Sequence, residues 1–538
     1  MLKTLQHAYH GQVKLIYIDP PYNTGGDFIY PDDYAEGLAS YQRFTRQVSE
    51  EGHKLTTNVN TSGRYHSRWL TMMYPRLYLA RNLLREDGVI FVSIDDHEVH
   101  NLRLVMDEVF GEENFVAQIT VQTNPKGRVL DPHFARTHDF VLVYTRAALE
   151  AQLGIPKSKE EIETDFDESD ERGVFRSLEL RNTHRQFGKH NRPKLWYPIF
   201  ADPTDGSVTL DSTPKHKVEI WPLWDDGFEG CWTWGQVKVR GEAYDLYARE
   251  VGGRWKVYRK ARAVDEDGAV VRRKLKTMFI ERFFHTEKGQ QAFDELMGQG
   301  LFQAPKPVGL VQTLLRLGSP DDLILDFFAG SGTTAQAVLE LNLEDGGNRK
   351  FILVQLPEPT GREDFPTISE ITKERVRRVI RRIEKERAGQ LELSSGAPSV
   401  DLGFKVFKLA ASNFSVWDPA LAPMQPDQLA AQWQLTADNV RADAQEQALL
   451  YELMLKCGLP LSSPVETADA AGSIAYRLDE GRLVICLARE VTQEALRAMI
   501  ALRPQSLLCL DIGFKGNDAL KVNAQLECQS HGIQFRTA

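Results

Sequence analysis

Two hydrophobic periods alternate along the first 145 residues of the chain. Short, nearly continuous apolar runs predict buried strands at VKLIYID, GVIFVSID and DFVLVYT. Apolar positions that recur every three or four residues predict helices at WLTMMYPRLYLARNLL and VHNLRLVMDEVFG, the second of which ends at Gly111. Strands that alternate with helices indicate βαβ units, so this stretch predicts an α/β fold built on a parallel sheet.

The same alternation returns after residue 300, and an irregular stretch separates the two regions. The later region predicts a helix at VGLVQTLLRLG, a strand at DLILDFF, a helix at GTTAQAVLELN and a strand at KFILVQL. The intervening residues are rich in Trp, Tyr, Arg and Lys and show no regular period. A strongly basic helix, ITKERVRRVIRRIEKER, follows the last strand, and a linker at GQLELSSGAPS then leads to a net-acidic mixed segment.

These changes of pattern divide the chain into four parts. One doubly wound, Rossmann-like sheet is predicted to form from residues 1–150 and 301–390 together. Residues 151–300 are predicted to form a domain inserted between the two halves of that sheet, and residues 400–538 a C-terminal α+β domain.

Composition changes this picture only slightly. The 538 residues carry a formal net charge of -10, which argues weakly against nucleic acid as a partner, although DNA binding depends on local patches. The five cysteines are scattered without a CxxC pair, which argues against a disulfide framework or a zinc cluster and predicts a reducing, cytoplasmic location. No apolar run reaches the about 18 residues that a bilayer-spanning helix needs. We predict neither a bound metal nor a membrane partner.

A motif with two prolines follows the first predicted strand, at Asp19, Pro20, Pro21 and Tyr22. Consecutive prolines fix φ and remove N–H donors, so the loop is stiff and its carbonyls are free to accept hydrogen bonds. Asp19 adds a second acceptor and Tyr22 an aromatic face. Acceptors beside a ring suit a planar group with an exocyclic amine, such as a base extruded from a duplex. The alternative is a proline-stiffened loop without a function.

A glycine-rich turn, ILDFFAGSGTT at residues 324–334, lies between a predicted strand and a predicted helix. Glycines let the backbone turn tightly and approach a ligand closely, and the helix N-terminus offers free N–H groups. The turn is not a Walker A loop, because no Lys follows the second glycine, and it is not GxGxxG. It indicates either a loop that binds a nucleotide-like cofactor or a plain tight turn.

Taken together, DPPYNTG and DFFAGSGTT resemble the motifs of the amino-methyltransferases that use S-adenosylmethionine. DPPY precedes the glycine motif and the insert lies between them, which is the circularly permuted order of the β-class enzymes, with the insert as target-recognition domain. Further segments resemble the Mod subunits of type III restriction–modification systems, namely NPKG, HDFVLVYT, WTWG, RWKVYRK, APKPVGLVQTLL, KFILVQLPE, DLGFKVFKLAASNFSVWD, LLYELMLKCGLPL and GFKGNDALKVNA.

The resemblance implies a role for each motif residue. Asp19, Pro20, Pro21 and Tyr22 match the catalytic motif, in which Asp19 and the Pro20 carbonyl hold the adenine N6 amine and Tyr22 stacks on the extruded base. The residues implied to bind S-adenosyl-L-methionine are Asp326, Phe328, Ala329, Gly330, Gly332, Thr333, Lys306 and Pro307. Gln355 occupies the place of the acidic residue that binds the cofactor ribose in many β-class enzymes, and Glu358 is the alternative.

The implied activity is methyl transfer from S-adenosyl-L-methionine to adenine N6 in a short site of double-stranded DNA. The resemblance also implies a flipped adenine, a homodimer and a Res helicase–nuclease partner. Cytosine N4 as the acceptor, or a DNA-recognition scaffold that has lost catalysis, are the alternatives. The family has a further segment ahead of DPPY, whereas 18 residues precede Asp19 here, so a truncated or mis-started form is expected.

Three features stay open at this point. Asp95 and Asp96 either both face the site, or Asp96 caps the next helix. The basic helix 371–387 either contacts DNA phosphates or is a solvated amphipathic helix that packs through Val376, Val379, Ile380 and Ile383. Within the insert, Lys and Arg outnumber Asp and Glu between Lys238 and Lys276, so the insert either reads DNA or is a half-exposed β-meander with solvated charges. The aromatic residues in and just ahead of this stretch are Trp232, Trp234, Tyr244, Tyr247, Trp255 and Tyr258.

Overall fold

The computed structural model describes residues 1–24, 64–127, 133–148, 153–265, 268–391, 401–415 and 440–538. The chain divides into two compact units, of which the larger combines Met1–Glu150 with Lys276–Ala538 and the smaller is Ala151–Leu275. No helix in these described ranges has the length and the hydropathy needed to traverse a bilayer.

The first half of the larger unit alternates helices and strands as its hydrophobic pattern predicts. Its elements are α1 (Leu2–Tyr9), β1 (Val13–Ile18), α2 (Arg64–Leu83), β2 (Leu84–Ile94), α3 (Val99–Phe110), β3 (Phe115–Gln122) and β4 (His138–Thr145). The apolar stripe of α2 includes Met73, Leu77 and Ala80, which are fully buried. Burying this stripe against the sheet is what stabilises the helix in place.

The smaller unit is formed by short strands around its own core. Its elements are β5 (Ile155–Pro156), α4 (Lys159–Asp165), β6 (Glu168–Asp170), β7 (Gly173–Glu179), β8 (Ile199–Ala201), β9 (Val208–Thr209), β10 (Val218–Ile220), α5 (Gln236–Gly241), β11 (Leu246–Val251), β12 (Arg254–Arg262) and β13 (Arg272–Arg273). They form an antiparallel sheet of order β11-β12-β7-β6, a second sheet of order β10-β8-β9 and the pair β13-β5. Trp232 is buried in the core, where its indole N–H donates to the Tyr197 carbonyl at 2.8 Å.

The second half of the larger unit completes the main sheet. Its elements are β14 (Met278–Phe279), α6 (Thr286–Met297), α7 (Val308–Leu315), β15 (Leu323–Asp326), α8 (Thr333–Asp345), β16 (Lys350–Leu353) and α9 (Ile368–Leu391). The predicted insert boundary at residue 300 is wrong, because β14 pairs with β3 and because Phe293 and Met297 of α6 pack against Ile371 of α9. The linker predicted at residues 389–399 begins in the last turn of α9, and its remainder lies outside the described residues.

The main sheet has the strand order β14-β3-β4-β2-β1-β15-β16. β1 is parallel to both β2 and β15, with Leu15 opposite Ile324 and Ile16 opposite Leu325. The two halves of the predicted sheet therefore join at β1 and β15, which confirms the Rossmann-like α/β fold. The prediction of an all-parallel sheet is wrong at one side, because β4 runs antiparallel to β2 and β3.

The C-terminal segment forms a five-stranded sheet with helices, as the predicted α+β class requires. Its elements are α10 (Glu446–Lys456), β17 (Glu466–Ala470), β18 (Ser473–Leu478), β19 (Leu483–Cys486), α11 (Gln493–Ala501), β20 (Ser506–Cys509), α12 (Asp518–Ser530) and β21 (Gln534–Thr537), and the strand order follows the chain. It belongs to the larger unit, where the Leu461 N–H donates to the hydroxyl of Tyr9 in α1 at 2.7 Å.

Candidate active site

The two sequence motifs lie side by side at one edge of the main sheet. Asp19–Tyr22 directly follow β1, and the turn that starts at Asp326 directly follows β15. Because β1 and β15 are adjacent and parallel, their carboxyl ends meet at the same edge. In doubly wound sheets this edge is where ligands bind. The structure therefore brings together the two groups of residues that the sequence predicts for the site.

Side chains from α2 and the start of α3 fix the proline motif. The indole N–H of Trp69 donates to the Pro21 carbonyl at 2.6 Å. The amide of Asn23, which has a left-handed φ of 58°, donates to the carboxylate of Glu98 at 2.5 Å. Glu98 is fully buried and also accepts from Asn101 at 2.8 Å. Trp69 and Glu98 are not predicted from the sequence, since no local pattern distinguishes them from ordinary helix residues.

The ammonium of Lys306 lies between the two polar side chains of the proline motif. Its Nζ is 2.7 Å from the Tyr22 hydroxyl, 3.1 Å from Asp19 Oδ1 and 4.7 Å from the centre of the Tyr22 ring. The Lys306 carbonyl accepts from the hydroxyl of Thr333 in the glycine turn at 3.3 Å. Predicted as a cofactor residue, Lys306 thus contacts the cofactor turn through its backbone and the catalytic motif through its side chain.

Two tyrosines beside Asp19 have phenols that stay protonated. Burial, and then the negative charge of Asp19, raise the pKa of Tyr22 well above its ordinary value. The pKa of Tyr17 is raised for the same two reasons, and its hydroxyl lies 2.9 Å from that of Ser93. Tyr22 therefore offers a neutral ring and a hydroxyl to a ligand, and it does not act as a general base at neutral pH.

Asp326, the last residue of β15, stabilises the glycine turn through two hydrogen bonds. Its carboxylate accepts from the Phe328 N–H at 3.0 Å and from the Thr334 hydroxyl at 2.5 Å. Burial raises the pKa of Asp326 to about 7. Phe328 and Ala329 are buried in the turn, and the Ala329 N–H donates to the Val354 carbonyl at 3.2 Å.

The two glycines of the turn have different surroundings. Both have left-handed backbone conformations, with φ of 51° at Gly330 and 85° at Gly332. A Cβ at Gly332 would lie 3.0 Å from Cγ2 of Thr372, so this glycine permits close packing against α9. A Cβ at Gly330 would have only Phe302 and Phe328 atoms of the described residues within 4 Å, the nearest at 3.7 Å. A side chain at Gly330 would therefore meet described residues only at ordinary van der Waals distances, without the crowding found at Gly332.

The basic helix α9 supports the turn with a buried arginine. Arg375 is fully buried, and its guanidinium donates to Ser331 Oγ at 2.7 Å, Thr333 Oγ1 at 2.9 Å and Gln336 Oε1 at 2.9 Å. Burial lowers the pKa of Arg375 to about 10, so it remains a cation at neutral pH. Val376, Val379 and Ile383 are buried beside it, which supports the packing alternative for this helix.

Three further residues predicted to bind or border the cofactor lie near the turn: Pro307, Gln355 and Glu358. Pro307 precedes α7 as its N-cap residue. Gln355 lies beside the turn, but its side-chain oxygen accepts from the Gly330 N–H at 2.7 Å and its amide donates to the Leu356 carbonyl at 3.2 Å. Glu358 is half-buried, and burial raises the pKa of its carboxyl. Both polar groups of the Gln355 side chain are thus engaged within the protein, whereas Glu358 remains the alternative for the cofactor ribose.

A cavity of about 720 Å³ opens next to Tyr22 and Lys306. Asp95 and Asp139 line it, together with Asn124 of the NPKG segment. Asp95 accepts from the His97 imidazole at 2.8 Å, and Asp96 pairs with Arg136 at 3.0 Å. Asp95 thus faces the cavity. The capping alternative is wrong for Asp96, since Glu98 is the N-cap residue of α3.

Many basic side chains of the insert are paired within the insert itself. Lys260 and Arg262 both pair with Asp170, at 2.7 and 2.8 Å, and Arg240 pairs with Asp211 at 3.0 Å. Trp232 and Trp234 are buried in the core and do not face a ligand. Of the candidate DNA-reading residues, these five therefore have structural partners.

Comparisons with known proteins identify the family of the chain. A family model described as DNA methylase matches residues 13–359. The EcoPI Mod subunit of Escherichia phage P1 is 34% identical over 513 residues, which cover 93% of this chain and 76% of that protein. The StyLTI Mod subunit of Salmonella typhimurium is 32% identical over 78% of this chain and 60% of that protein. The EcoP15I Mod subunit of Escherichia coli is 29% identical over 93% of this chain and 76% of that protein.

A solved structure titled PvuII DNA methyltransferase (cytosine-N4-specific) covers 70% of this chain and 89% of its own, at 11% identity and a TM-score of 0.30, which is too low to bear on function. The fold and the family model define a DNA methylase that uses S-adenosylmethionine. Within that class, the chain belongs to the family of type III restriction–modification Mod subunits. The prediction of an adenine-specific DNA methyltransferase is thereby confirmed.

Proposed function

We propose that the chain methylates N6 of an adenine extruded from a short DNA site, and that Asp19, Pro20, Pro21 and Tyr22 perform the catalysis. The observation that carries this proposal is the position of the Lys306 ammonium. Two acceptors, Asp19 Oδ1 and the Tyr22 hydroxyl, converge on its nitrogen at 3.1 and 2.7 Å. An adenine N6 amine is also a nitrogen with N–H donors, so it can replace the ammonium as the donor to Asp19 while the Tyr22 ring stacks on the base.

Hydrogen-bond acceptors at Asp19 and Pro20 make the adenine N6 amine more reactive as a nucleophile. The lone pair of an adenine N6 is delocalised into the ring, so the amine is a poor nucleophile. Hydrogen bonds from N6 to Asp19 and to the Pro20 carbonyl localise that lone pair and orient it toward the donor, which is catalysis by positioning and electrostatics. When bound, S-adenosylmethionine supplies a methyl carbon activated by its sulfonium. The Asp19 carboxylate is the nearest acceptor for the proton that N6 releases.

Lys306 and Tyr22 prepare the site for the base. In the free protein Lys306 neutralises Asp19, whose Oδ1 is buried with no hydrogen-bond partner in the described residues except this ion pair. The ammonium must withdraw for N6 to reach Asp19, and the exchange of one N–H donor for another keeps the carboxylate paired. The neutral Tyr22 ring then lies in place to stack on the adenine, which enters through the adjoining cavity of about 720 Å³.

The cofactor binds at the glycine turn in this proposal. The turn around it is formed by Asp326, Phe328, Ala329, Gly330, Gly332 and Thr333. Pro307 sets the start of α7, and Lys306 tethers Thr333 through its carbonyl. We propose that Glu358 binds the ribose hydroxyls, and that Gln355 instead supports the turn by accepting from the Gly330 N–H.

Partners are proposed by analogy with the relatives, which are named as Mod subunits of restriction–modification enzymes. We propose that the insert reads the DNA site, that the chain forms a homodimer and that a Res subunit with helicase and nuclease activity joins it. A cytoplasmic location agrees with the five free cysteines.

The experiment that tests the proposal follows the methyl group. The purified chain is incubated with DNA and S-adenosylmethionine labelled in its methyl group, and the DNA is digested to nucleosides. We expect N6-methyl-2′-deoxyadenosine, whereas N4-methyl-2′-deoxycytidine would overturn the acceptor assignment. A chain that binds DNA but neither binds the cofactor nor transfers methyl would be a recognition scaffold.

Tyr22→Ala separates the catalytic motif from the cofactor turn in the same assay. Loss of stacking is expected to slow methyl transfer by roughly a hundredfold and to leave affinity for S-adenosylmethionine nearly unchanged. Tyr78→Ala, at an exposed tyrosine of α2, is the matched control and should behave like the wild type. Equal losses of transfer and of cofactor affinity in Tyr22→Ala would contradict the role given to Tyr22.

A further inference from the structure

A β-hairpin of the main sheet approaches the base cavity. β3 and β4 are antiparallel neighbours, and residues 123–137 connect them, of which 128–132 lie outside the described residues. The base of this connection is closed by two hydrogen bonds, because the N–H groups of Thr123 and Asn124 both donate to the Thr137 carbonyl, at 3.0 and 3.1 Å. The described arms of the connection are therefore fixed to the sheet.

Both arms border the cavity that contains Tyr22 and Lys306. Asn124, Pro125 and Lys126 line it from the outgoing arm, and Arg136 lines it from the returning arm. The arms also pack on each other, since a Cβ at Gly127 would lie 2.5 Å from the Cβ of Ala135. Residues beside Ala135 are thus held at the rim of the cavity.

Phe134 is an exposed aromatic residue of the returning arm, two residues before Arg136. Its side chain is 88% exposed, a value that only Val237 of the insert equals among the large apolar side chains of the described residues. Single exposed apolar side chains are common on protein surfaces. Phe134 differs in its position, because it is two residues from Arg136, which lines the cavity, so the base pairs that flank an extruded base come close to its ring. Lys126 is exposed on the other arm and carries a positive charge that suits a phosphate.

We propose that Phe134 is a wedge that enters the base stack of the DNA when the target adenine moves into the cavity. This inference rests on the proposed function, because it requires an extruded base. Extrusion leaves a gap between the neighbouring base pairs, and apolar side chains such as Phe fill such gaps by stacking on the exposed base faces. The ring would hold the duplex open while Tyr22 and Asp19 act on the adenine.

The test compares two duplexes that carry the recognition site identified by methylation sequencing of DNA from cells that express the chain. In one duplex the target adenine is paired with thymine, and in the other it lies opposite an abasic site. A wedge lowers the cost of opening a pair, which is a few kcal/mol for a stacked, paired base. Phe134→Ala should therefore slow methylation of the paired duplex by about tenfold or more and that of the abasic duplex by less than about threefold.

The same variants are then followed without catalysis. With 2-aminopurine in place of the target adenine, the wild type should raise fluorescence on binding, and Phe134→Ala should raise it less while binding the cofactor normally. Phe134→Trp, which restores an aromatic face, should recover the wild-type rate. Leu104→Ala, at a 68% exposed leucine of α3, is the matched control and should have no effect on either duplex.

Three outcomes overturn the wedge. They are an unchanged rate on the paired duplex, an equal loss on both duplexes, and a normal fluorescence rise in Phe134→Ala. An equal loss on both duplexes would show that Phe134 acts in a step that does not depend on opening the base pair. If the wild type methylates neither duplex, the proposed function itself fails. If the wild type methylates the DNA and one of the three outcomes is found, only the wedge fails, so the two failures are distinguishable.

Discussion

The ammonium of Lys306 lies 2.7 Å from the hydroxyl of Tyr22, although 284 residues separate them along the chain. The part of the chain between them contains β2, β3 and β4 of the main sheet and the whole insert. They meet because β1 and β15 are neighbours, with Leu15 opposite Ile324. Neither half of the sheet contains the candidate site alone, so the site forms only when the two halves pair.

Lys306 and Asp19 are expected to be energetically coupled. Lys306→Met leaves a buried carboxylate oxygen without its partner and should lower the free energy of unfolding of the larger unit by roughly 1–3 kcal/mol. Asp19→Asn Lys306→Met removes the charge as well, so its loss should be smaller than the sum of the two single losses. Denaturant unfolding of the four proteins measures this coupling. Strictly additive losses would show that the 3.1 Å ion pair contributes nothing to the site.

Arg375 should prove the most sensitive basic residue of α9. Arg375→Met leaves the side-chain oxygens of Ser331, Thr333 and Gln336 without their donor in a buried site. We expect a loss of roughly 3 kcal/mol or more in the free energy of unfolding, and weaker binding of S-adenosylmethionine because the glycine turn loses its support. Thermal unfolding and calorimetric titration with the cofactor measure the two effects.

Arg381 offers the matched control for this variant on the same helix. Its side chain is 63% exposed, so Arg381→Met removes the same charge without opening a buried site. It should leave both the melting temperature and the cofactor affinity close to those of the wild type. If the two variants lose cofactor affinity equally, the positive charge of the helix matters and the buried hydrogen bonds do not.

The contrast between these two arginines shows what the sequence can predict of the site. Asp19 and Asp326 are predictable because each ends an apolar run and begins a motif whose residues are adjacent in the chain. Arg375 is not, because every third or fourth residue around it is also basic, and which one is buried depends on the helix that packs across the turn. Trp69 and Glu98 are also not predictable from the sequence, because their partners, Pro21 and Asn23, are more than 40 residues away in the chain.

The fold follows the same division between local and distant information. Strand and helix positions depend on local periodicity and are confirmed, and the pairing of β1 with β15 follows from the order of the motifs. The direction of β4 and the end of the insert depend on which distant strands form hydrogen bonds. β14 has two residues, too few for a readable pattern, and yet its pairing with β3 moves the insert boundary from residue 300 to residue 275.

Asp326 should make stability depend on pH. In the folded protein its pKa is about 7, against an ordinary value of 3.8, so between these values the folded state binds one more proton than the unfolded state. The stabilisation is complete below about pH 4 and is lost as the pH rises through about 7. Asp326→Asn stays neutral and can still accept from the Phe328 N–H.

The measurement compares unfolding of the wild type and of Asp326→Asn from pH 5 to pH 8. The stability of the wild type relative to the variant should fall by about 2–3 kcal/mol across this range, at about 1.4 kcal/mol per pH unit up to the folded pKa. Asp167→Asn, at an exposed aspartate of the insert, should leave the pH profile unchanged. Parallel profiles for the wild type and Asp326→Asn would show that the Asp326 carboxyl is ionised throughout.

The DNA surface of the insert should include a pair of cations that oppose each other on its sheet. Arg249 of β11 lies directly opposite Lys256 of β12, and beside them the rings of Tyr247 and Tyr258 stack at 5.6 Å. Like charges opposite each other destabilise a sheet, and the Arg249 guanidinium lies over the Tyr258 ring, 4.4 Å from its centre, and forms no ion pair among the described residues of the insert. Such a patch is suited to phosphates, which supply the missing negative charge.

Arg249→Ala Lys256→Ala should therefore flatten the salt dependence of DNA binding. Each phosphate contact contributes about 0.9 to the slope of log K against log salt concentration, so the slope should fall by up to about 2. Arg497→Ala Lys515→Ala removes two exposed positive charges from the C-terminal domain and should leave the slope unchanged if that domain does not contact DNA. Fluorescence anisotropy at four or five salt concentrations gives both slopes. Lys260 and Arg262, near the other end of β12, are paired with Asp170. If the slope falls only when these two residues are changed, the phosphate contacts lie at that end of β12 and not at Arg249 and Lys256.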